Sequence, residues 1–298
     1  MKPPLTTEIV KQYPQRGPMQ QFRLTSPTAF HCFRCAQPKK SKLLVIYDAS
    51  WERILCNGCY GRLLSIFEIK AGPQSDDEKA FQLSELLLSL FSRDQLRESE
   101  RLLRIAEKRT EFLSDNARRF VATAEHLSNT LLLDSDLDWS PATIGLCKAV
   151  EAELIERIVF PLRSILQGMD LTVDTKDKDI GRVAKFFTDP TAKPPEMGSF
   201  AHFLQTSLNS ELRRATSPVV GGLYRLFSSL PNSEWLSNVK GLYESLIRLT
   251  RDYRNRAAHI DTLTRQDYVD CRTLVLGADG MLWKLIAATQ SSKVLKNN

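Results

Sequence analysis

"RLTRDYRNRAAHIDTLT", residues 248–264, packs Arg254, Asn255 and His259 into six positions at the end of an apolar-striped segment. Trp235, Val239, Leu242, Leu246, Leu249, Tyr253 and Ala257 recur in helical register, so the stretch reads as the close of a buried helix. On that helix Asn255 and His259 stand one turn apart on one face. A capping box at Thr264 and Asp267 then opens a last helix running to about Ala288. Two uses fit the charged end. Basic side chains there can meet the helix's unsatisfied carbonyls. Alternatively, a permanently charged guanidinium and an imidazole that titrates near neutrality can hold a phosphate and move its protons.

Upstream, "DSDLDWSPATIGLCKAVEAELIERIVFPLRSIL" (134–166) has Ser140 as N-cap, Pro141 in the first turn, and Ile144, Cys147, Val150, Leu154, Ile158, Leu162 and Ile165 on one face. Pro161 is expected to bend this helix. Short helices follow around Ile180–Phe187 and Phe200–Leu208, separated by the Pro-rich "DPTAKPPE", and another opens at Ser217 and Pro218. Between about Asp94 and Leu132 no Pro or Gly interrupts the chain. Leu96, Leu103, Ala106, Thr110, Leu113, Ala117, Phe120, Ala124, Leu127 and Leu131 form a heptad stripe, predicting one helix of about 58 Å. Such a stripe packs either on the chain's own helices or between two subunits. Ser75 and Glu78 form a capping box for a helix to about Phe91. Nothing past residue 72 alternates persistently like a strand, so the body is expected to be all-α.

The N-terminal quarter differs. Four of the six cysteines form two CxxC pairs, Cys32/Cys35 and Cys56/Cys59, separated by 20 residues. Tetrahedral Zn²⁺ accepts two such knuckles, and the spacing predicts a structural four-thiolate zinc site. Between the pairs, "KKSKLLVIYDASWERIL" has two strand-like runs around a turn, and "CNGCYGRLLSIFEI" starts a helix at the second pair. Residues 1–72 hold 11 Lys/Arg against 4 Asp/Glu, a surplus of +7 in a chain of +6 overall. The basic module suits nucleic-acid binding through Arg34, Lys39, Lys40, Lys42, Arg53 and Arg62, or protein contacts beside an ordinary solvated basic face. Residues 1–28, rich in Pro, Gln and Thr, read as a flexible arm.

With 42% apolar and 26% charged residues the chain is globular, neither disordered nor fibrous. No apolar run spans a bilayer, and "MKPPLTTE" lacks a signal peptide's pattern, so a cytoplasmic location is expected, with no membrane partner. The expected organisation is an arm (1–28), a zinc module (29–72), a long helical, coiled-coil-like linker (73–134), a helical domain (135–290) and a tail (291–298). The fold class is therefore mostly α with one small α+β module.

Two resemblances attach to these residues. Knuckle, hairpin, knuckle and helix resembles a treble clef, and "LCNGCY" is similar to the second knuckle of GATA-type fingers. Residues 138–290, through "DWSPATIGLCKAVEAEL" and "YRNRAAHIDTLTRQDYVDCRTLVLG", resemble the HEPN superfamily of all-α domains carrying an Arg-x4-6-His motif. The resemblance implies an endoribonuclease that needs no metal for its chemistry and works as a homodimer, with two motif copies lining a shared cleft. By position Arg254 matches the motif Arg, Asn255 its polar residue and His259 its His. Glu151, on the apolar side of its helix, either pairs with Arg254 in the cleft or makes an ordinary ion pair elsewhere. Some toxin members continue as His-x-Tyr; here Ile260 and Asp261 follow, so control by tyrosine modification finds no support. The superfamily also includes non-catalytic binding domains, leaving a scaffold role as the alternative. Bacterial or phage defence is the setting the resemblance implies.

Overall fold

The computed structural model describes residues 8–89, 93–131, 138–178, 180–189, 191–259 and 262–290. Four strands, β1 (Ile9–Gln12), β2 (Met19–His31), β3 (Pro38–Tyr47) and β4 (Ser50–Leu55), form an antiparallel sheet in that spatial order. Strand alternation gives the sheet two buried faces. Phe22, Leu24, Leu44, Ile46 and Ile54 make a small core on one side. Met19, Val45, Tyr47 and Leu55 join the main core on the other.

The expected arm is thus corrected. From Ile9 onward residues of 1–28 belong to the sheet, while the first seven lie outside the described residues. Only Phe22 and Leu24 signal alternation, and Pro27 argues against a continuous strand. The ladder accommodates that proline by slipping register between Arg23 and Thr28.

Helices follow: α1 (Asn57–Ala71), α2 (Asp76–Ser89), α3 (Arg93–Ala106), α4 (Asp115–Leu131) and α5 (Ser140–Leu154). The chain continues through α6 (Phe160–Ile165), α7 (Thr172–Lys176), α8 (Gly181–Thr188), α9 (Met197–Asn209), α10 (Glu211–Thr216) and α11 (Pro218–Ser229). It ends with α12 (Glu234–Ser237), α13 (Glu244–Arg248), α14 (Arg256–Ala258), α15 (Arg265–Leu276) and α16 (Met281–Thr289). The body is helical, as its periodicity predicts. A π-helical turn, Ile155–Val159, precedes Pro161, which cannot donate a backbone hydrogen bond.

The single long helix is also corrected. The chain breaks between α3 and α4 into a 3₁₀ turn, Lys108–Phe112. Glu107 accepts the Arg109 amide at 3.1 Å, and Ser114 Oγ accepts the Ala117 amide at 3.3 Å. Glu153 of α5 takes the Ser114 amide at 2.5 Å. These side chains stop one helix and start the next. Leu113, Ala117, Ala124 and Leu127 are buried, and α4 packs on α5, so this part of the stripe serves the chain's own core. A Cβ at Gly145 would lie 2.8 Å from Leu87 and 3.1 Å from Ala124, which is why α2, α4 and α5 approach so closely there. The described part of 73–134 is body, not a free linker.

One apolar core runs from Met19 to Ala288 and takes in Leu63 and Ile66 of α1. Lys70 at the end of α1 is buried on Asp138 at 3.0 Å and Ser140 Oγ at 3.1 Å. Asp138 also accepts the Leu263 amide at 3.1 Å. The cysteine-bearing unit and the loop after His259 are therefore pinned to one carboxylate.

Candidate metal centre and candidate active site

Cys32 and Cys35 lie between β2 and β3, and Cys56 and Cys59 between β4 and the first turn of α1. The hairpin of β3 and β4 brings the pairs together through a tight turn in which Asp48 and Ala49 have φ of 53° and 54°. All four sulfurs lie within 4.8 Å of one another, and Cys35 Sγ is 3.9 Å from Cys56 Sγ. Tetrahedral zinc with bonds of about 2.3 Å spaces its sulfurs about 3.8 Å apart. The cluster is therefore compatible with the expected structural zinc. Ala36, at φ 54°, turns the first pair so that its amide bonds the Cys32 carbonyl at 2.8 Å. The Cys56 amide donates to Cys32 Sγ at 3.2 Å. A hydrogen bond from Cys59 is the main cause that pulls the Cys32 thiol down to about 4. The same contact and burial push Cys59 upward. One sulfur thus ionises at the expense of Cys35 and Cys59, a conflict among crowded thiols that a bound cation would relieve.

The module's basic residues divide. Lys39, Lys40, Lys42 and Arg62 are exposed. Arg53 lies over the Phe33 ring at 5.5 Å and meets Asp48 at 3.5 Å, and Arg34 is half-buried. The exposed lysines all sit on β3, so an outward basic face is narrower than the six expected residues.

At the other site, Arg254 and Asn255 end a π-helical turn, Leu249–Asn255. The α14 turn follows, and His259 leaves the helix in an extended conformation, with its amide bonded to the Asn255 carbonyl at 3.0 Å. The expected helix therefore ends one residue before the histidine. Arg254 is 3% exposed. Its Nη1 donates to Asn255 Oδ1 at 3.3 Å, and its Nη2 is in close contact with Asp77 Oδ1. Nε is buried without a partner. His259 is more than half exposed, and its Nε2 lies 3.5 Å from Asp76 Oδ2. Asn255 thus bonds the arginine.

Glu151 is buried, but its partner is Lys148, at 2.7 Å on the same helix. The carboxylate that meets Arg254 is Asp77, with Glu196 behind it. Burial is the largest single influence on Asp77 and raises it, but the hydrogen bond from Glu196, the charge and hydrogen bond of Arg254 and the charge of Lys148 together outweigh burial and hold it below the usual range. Burial, and then the neighbouring Asp77, push Glu196 up to about 7. Sequence reasoning missed both acids. Asp76 and Asp77 are visible only as first-turn residues beside a capping box, and Glu196 only as the end of a Pro-rich connector.

Arg256 and Arg251 make surface ion pairs, with Asp267 at 2.7 Å and Asp252 at 2.6 Å. A groove of about 1130 Å³ runs between α2, α4 and α5. Its charged lining, Glu85, Asp115, Glu151 and Glu156 against Arg119 and Lys148, is net negative and does not suit a phosphate backbone.

No family model, curated protein or solved structure matches the chain. Among the described residues no helix is long and apolar enough to cross a membrane.

Proposed function

We propose that the chain is an endoribonuclease of HEPN type, dimeric when active, whose cysteine module holds zinc in a treble-clef-like frame and recognises nucleic acid or a protein partner. The observation that carries this reading is that Arg254 and His259 face two consecutive carboxylates, Asp77 and Asp76. A guanidinium and an imidazole that both meet one short acidic stretch are a pair suited to an anionic ligand. In the proposed reaction His259 takes the proton of a ribose 2′-OH, whose oxygen bonds the neighbouring phosphorus. Arg254 stabilises the charged phosphorane. The P–O5′ bond breaks, and an imidazolium from the second subunit's motif gives its proton to the departing oxygen. The products are a 2′,3′-cyclic phosphate and a 5′-hydroxyl. Bacterial or phage defence fits such an activity.

The burial of Arg254 favours a second reading, in which the motif is a structural ion pair and the chain a nucleic-acid-binding scaffold. Incubating purified protein with single-stranded RNA and DNA separates the two. RNA fragments with 2′,3′-cyclic ends, formed in the presence of chelator and lost in His259→Ala, support the nuclease. Intact RNA under every condition, including added cell extract, leaves the scaffold.

A further inference from the structure

The nuclease reading needs Arg254 open to phosphate, yet α2 covers it. Asp76 and Asp77 occupy the first turn of α2, where the helix dipole favours carboxylates and the Ser75/Glu78 box fixes the start, with the Ser75 amide 3.1 Å from Glu78 Oε2. Each acid meets one of the two reactive side chains: Asp77 the guanidinium, Asp76 the imidazole. Carboxylate and phosphate present similar paired oxygens to an arginine fork. Relative to Arg254 the acids lie outward, while His259, at 56% exposed, is already open. The Asp77 and Asp76 side chains are 25% and 34% exposed against 4% for Arg254. The guanidinium itself is unsatisfied, because its buried Nε has no acceptor. Asp77 leaves that donor idle in this arrangement, unlike Glu125, which takes both Nε and Nη2 of Arg272.

We propose that the first turn of α2 is an intramolecular latch, in which Asp76 and Asp77 stand in for the oxygens of an RNA phosphate and must withdraw before RNA can reach Arg254. The latch rests on the nuclease reading for its purpose, though not for its detection. Its tether is short. Residues 72–75 join it to α1, whose Lys70 is held by Asp138, so the cysteine module and the latch move on one leash. Glu196 stands next to Asp77 and can take its place on Arg254, so Asp77 and Glu196 both have to be neutralised to free the guanidinium, Asp76 meeting only the exposed His259.

The test uses the full chain and a short 2′-O-methyl oligoribonucleotide, which lacks the attacking hydroxyl and cannot be cut, with cleavable RNA assayed in parallel. Asp77→Asn/Glu196→Gln is expected to bind the uncut probe about tenfold more tightly than wild type, and adding Arg254→Gln should abolish the gain. Unchanged or weaker binding by the double variant overturns the latch, as does measurable RNA cleavage at the same rate by wild type and variant. Tighter binding with no cleavage by either protein supports the latch while removing the nuclease reading. Should the double variant fail to fold, a Gly-Ser-Gly insertion after Gly72 lengthens the tether with every acid intact. That chain is held to the same expectation and the same overturning result.

Discussion

Lys70 Nζ lies 3.0 Å from Asp138 Oδ2, with both side chains more than nine-tenths buried, and this pair joins the cysteine module to the helical body. Ser140 Oγ and the Ser140 and Leu263 amides also hydrogen-bond to the pair. A buried ion pair adds little over a well-packed apolar substitute, but losing one partner strands the other charge. Lys70→Ala is therefore expected to cost about 3 kcal/mol, while Lys70→Met/Asp138→Leu should recover part of that loss. Urea unfolding of the three proteins measures this. A single variant within about 0.5 kcal/mol of wild type would show that Asp138 is not stranded.

Zinc removal tests whether the module is an independent domain. Leu63 and Ile66 of α1 belong to the same core as α5 and α15, so losing the metal should loosen more than the knuckles. One zinc per chain is expected, and chelation or Cys59→Ser should lower the main thermal transition of the whole protein. A main transition that stays in place while a minor one disappears would mean that the module folds separately.

His259 and Arg254 should behave differently when truncated. His259 is exposed and touches only the rim of the cluster, so His259→Ala should leave stability within about 0.5 kcal/mol while cleavage falls by about 10²-fold or more. Arg254→Ala removes the cation from beside Asp77 and Glu196. Because Asp77 is partly exposed, the expected loss is about 2 kcal/mol, less than for a fully buried pair. Thermal melts of both variants, run beside the RNA assay, distinguish a chemical role from a structural one.

These contrasts follow the line between what local sequence encodes and what only the fold brings together. The two CxxC pairs and the Ser75/Glu78 and Thr264/Asp267 boxes are local patterns that each correspond to a feature of the structure, whereas the helix expected over 235–257 is broken at extended Asn238 and non-helical Gly241, which leaves Val239 exposed. β2 was hidden because Pro27 and polar neighbours interrupt the alternation begun by Phe22 and Leu24, which share their core with β3 and β4. The break at residues 107–114 depends on Glu153, which caps α4 from another helix. At the site, Glu151 was a reasonable partner for Arg254 by its apolar surroundings, but Lys148 lies one turn away and holds it. Asp77 reaches Arg254 only through the packing of α2 on the body, a pairing that no spacing rule contains.

The acid pair behind Arg254 gives a pH signature. Glu196, facing Asp77 from α2, Arg254 and Glu151 of α5, is pushed up to about 7 from an ordinary 4.5. Below about pH 4.5 it is protonated both folded and unfolded and contributes no pH dependence. As pH rises from there to about 7 the unfolded chain releases this proton while the folded chain keeps it, so stability falls; above that the loss is complete and constant. Asp77 acts oppositely. Held below its ordinary 3.8, it contributes stability above that value and loses it as pH falls further. Glu196→Gln keeps a neutral hydrogen-bonding group at all pH values and removes the upper limb. Its melting temperature relative to wild type should therefore rise between about pH 5 and pH 8, a difference read directly from paired thermal scans. An offset that is the same at both ends would mean that Glu196 is already ionised at the lower pH, and that Asp77 holds Arg254 without a shared proton.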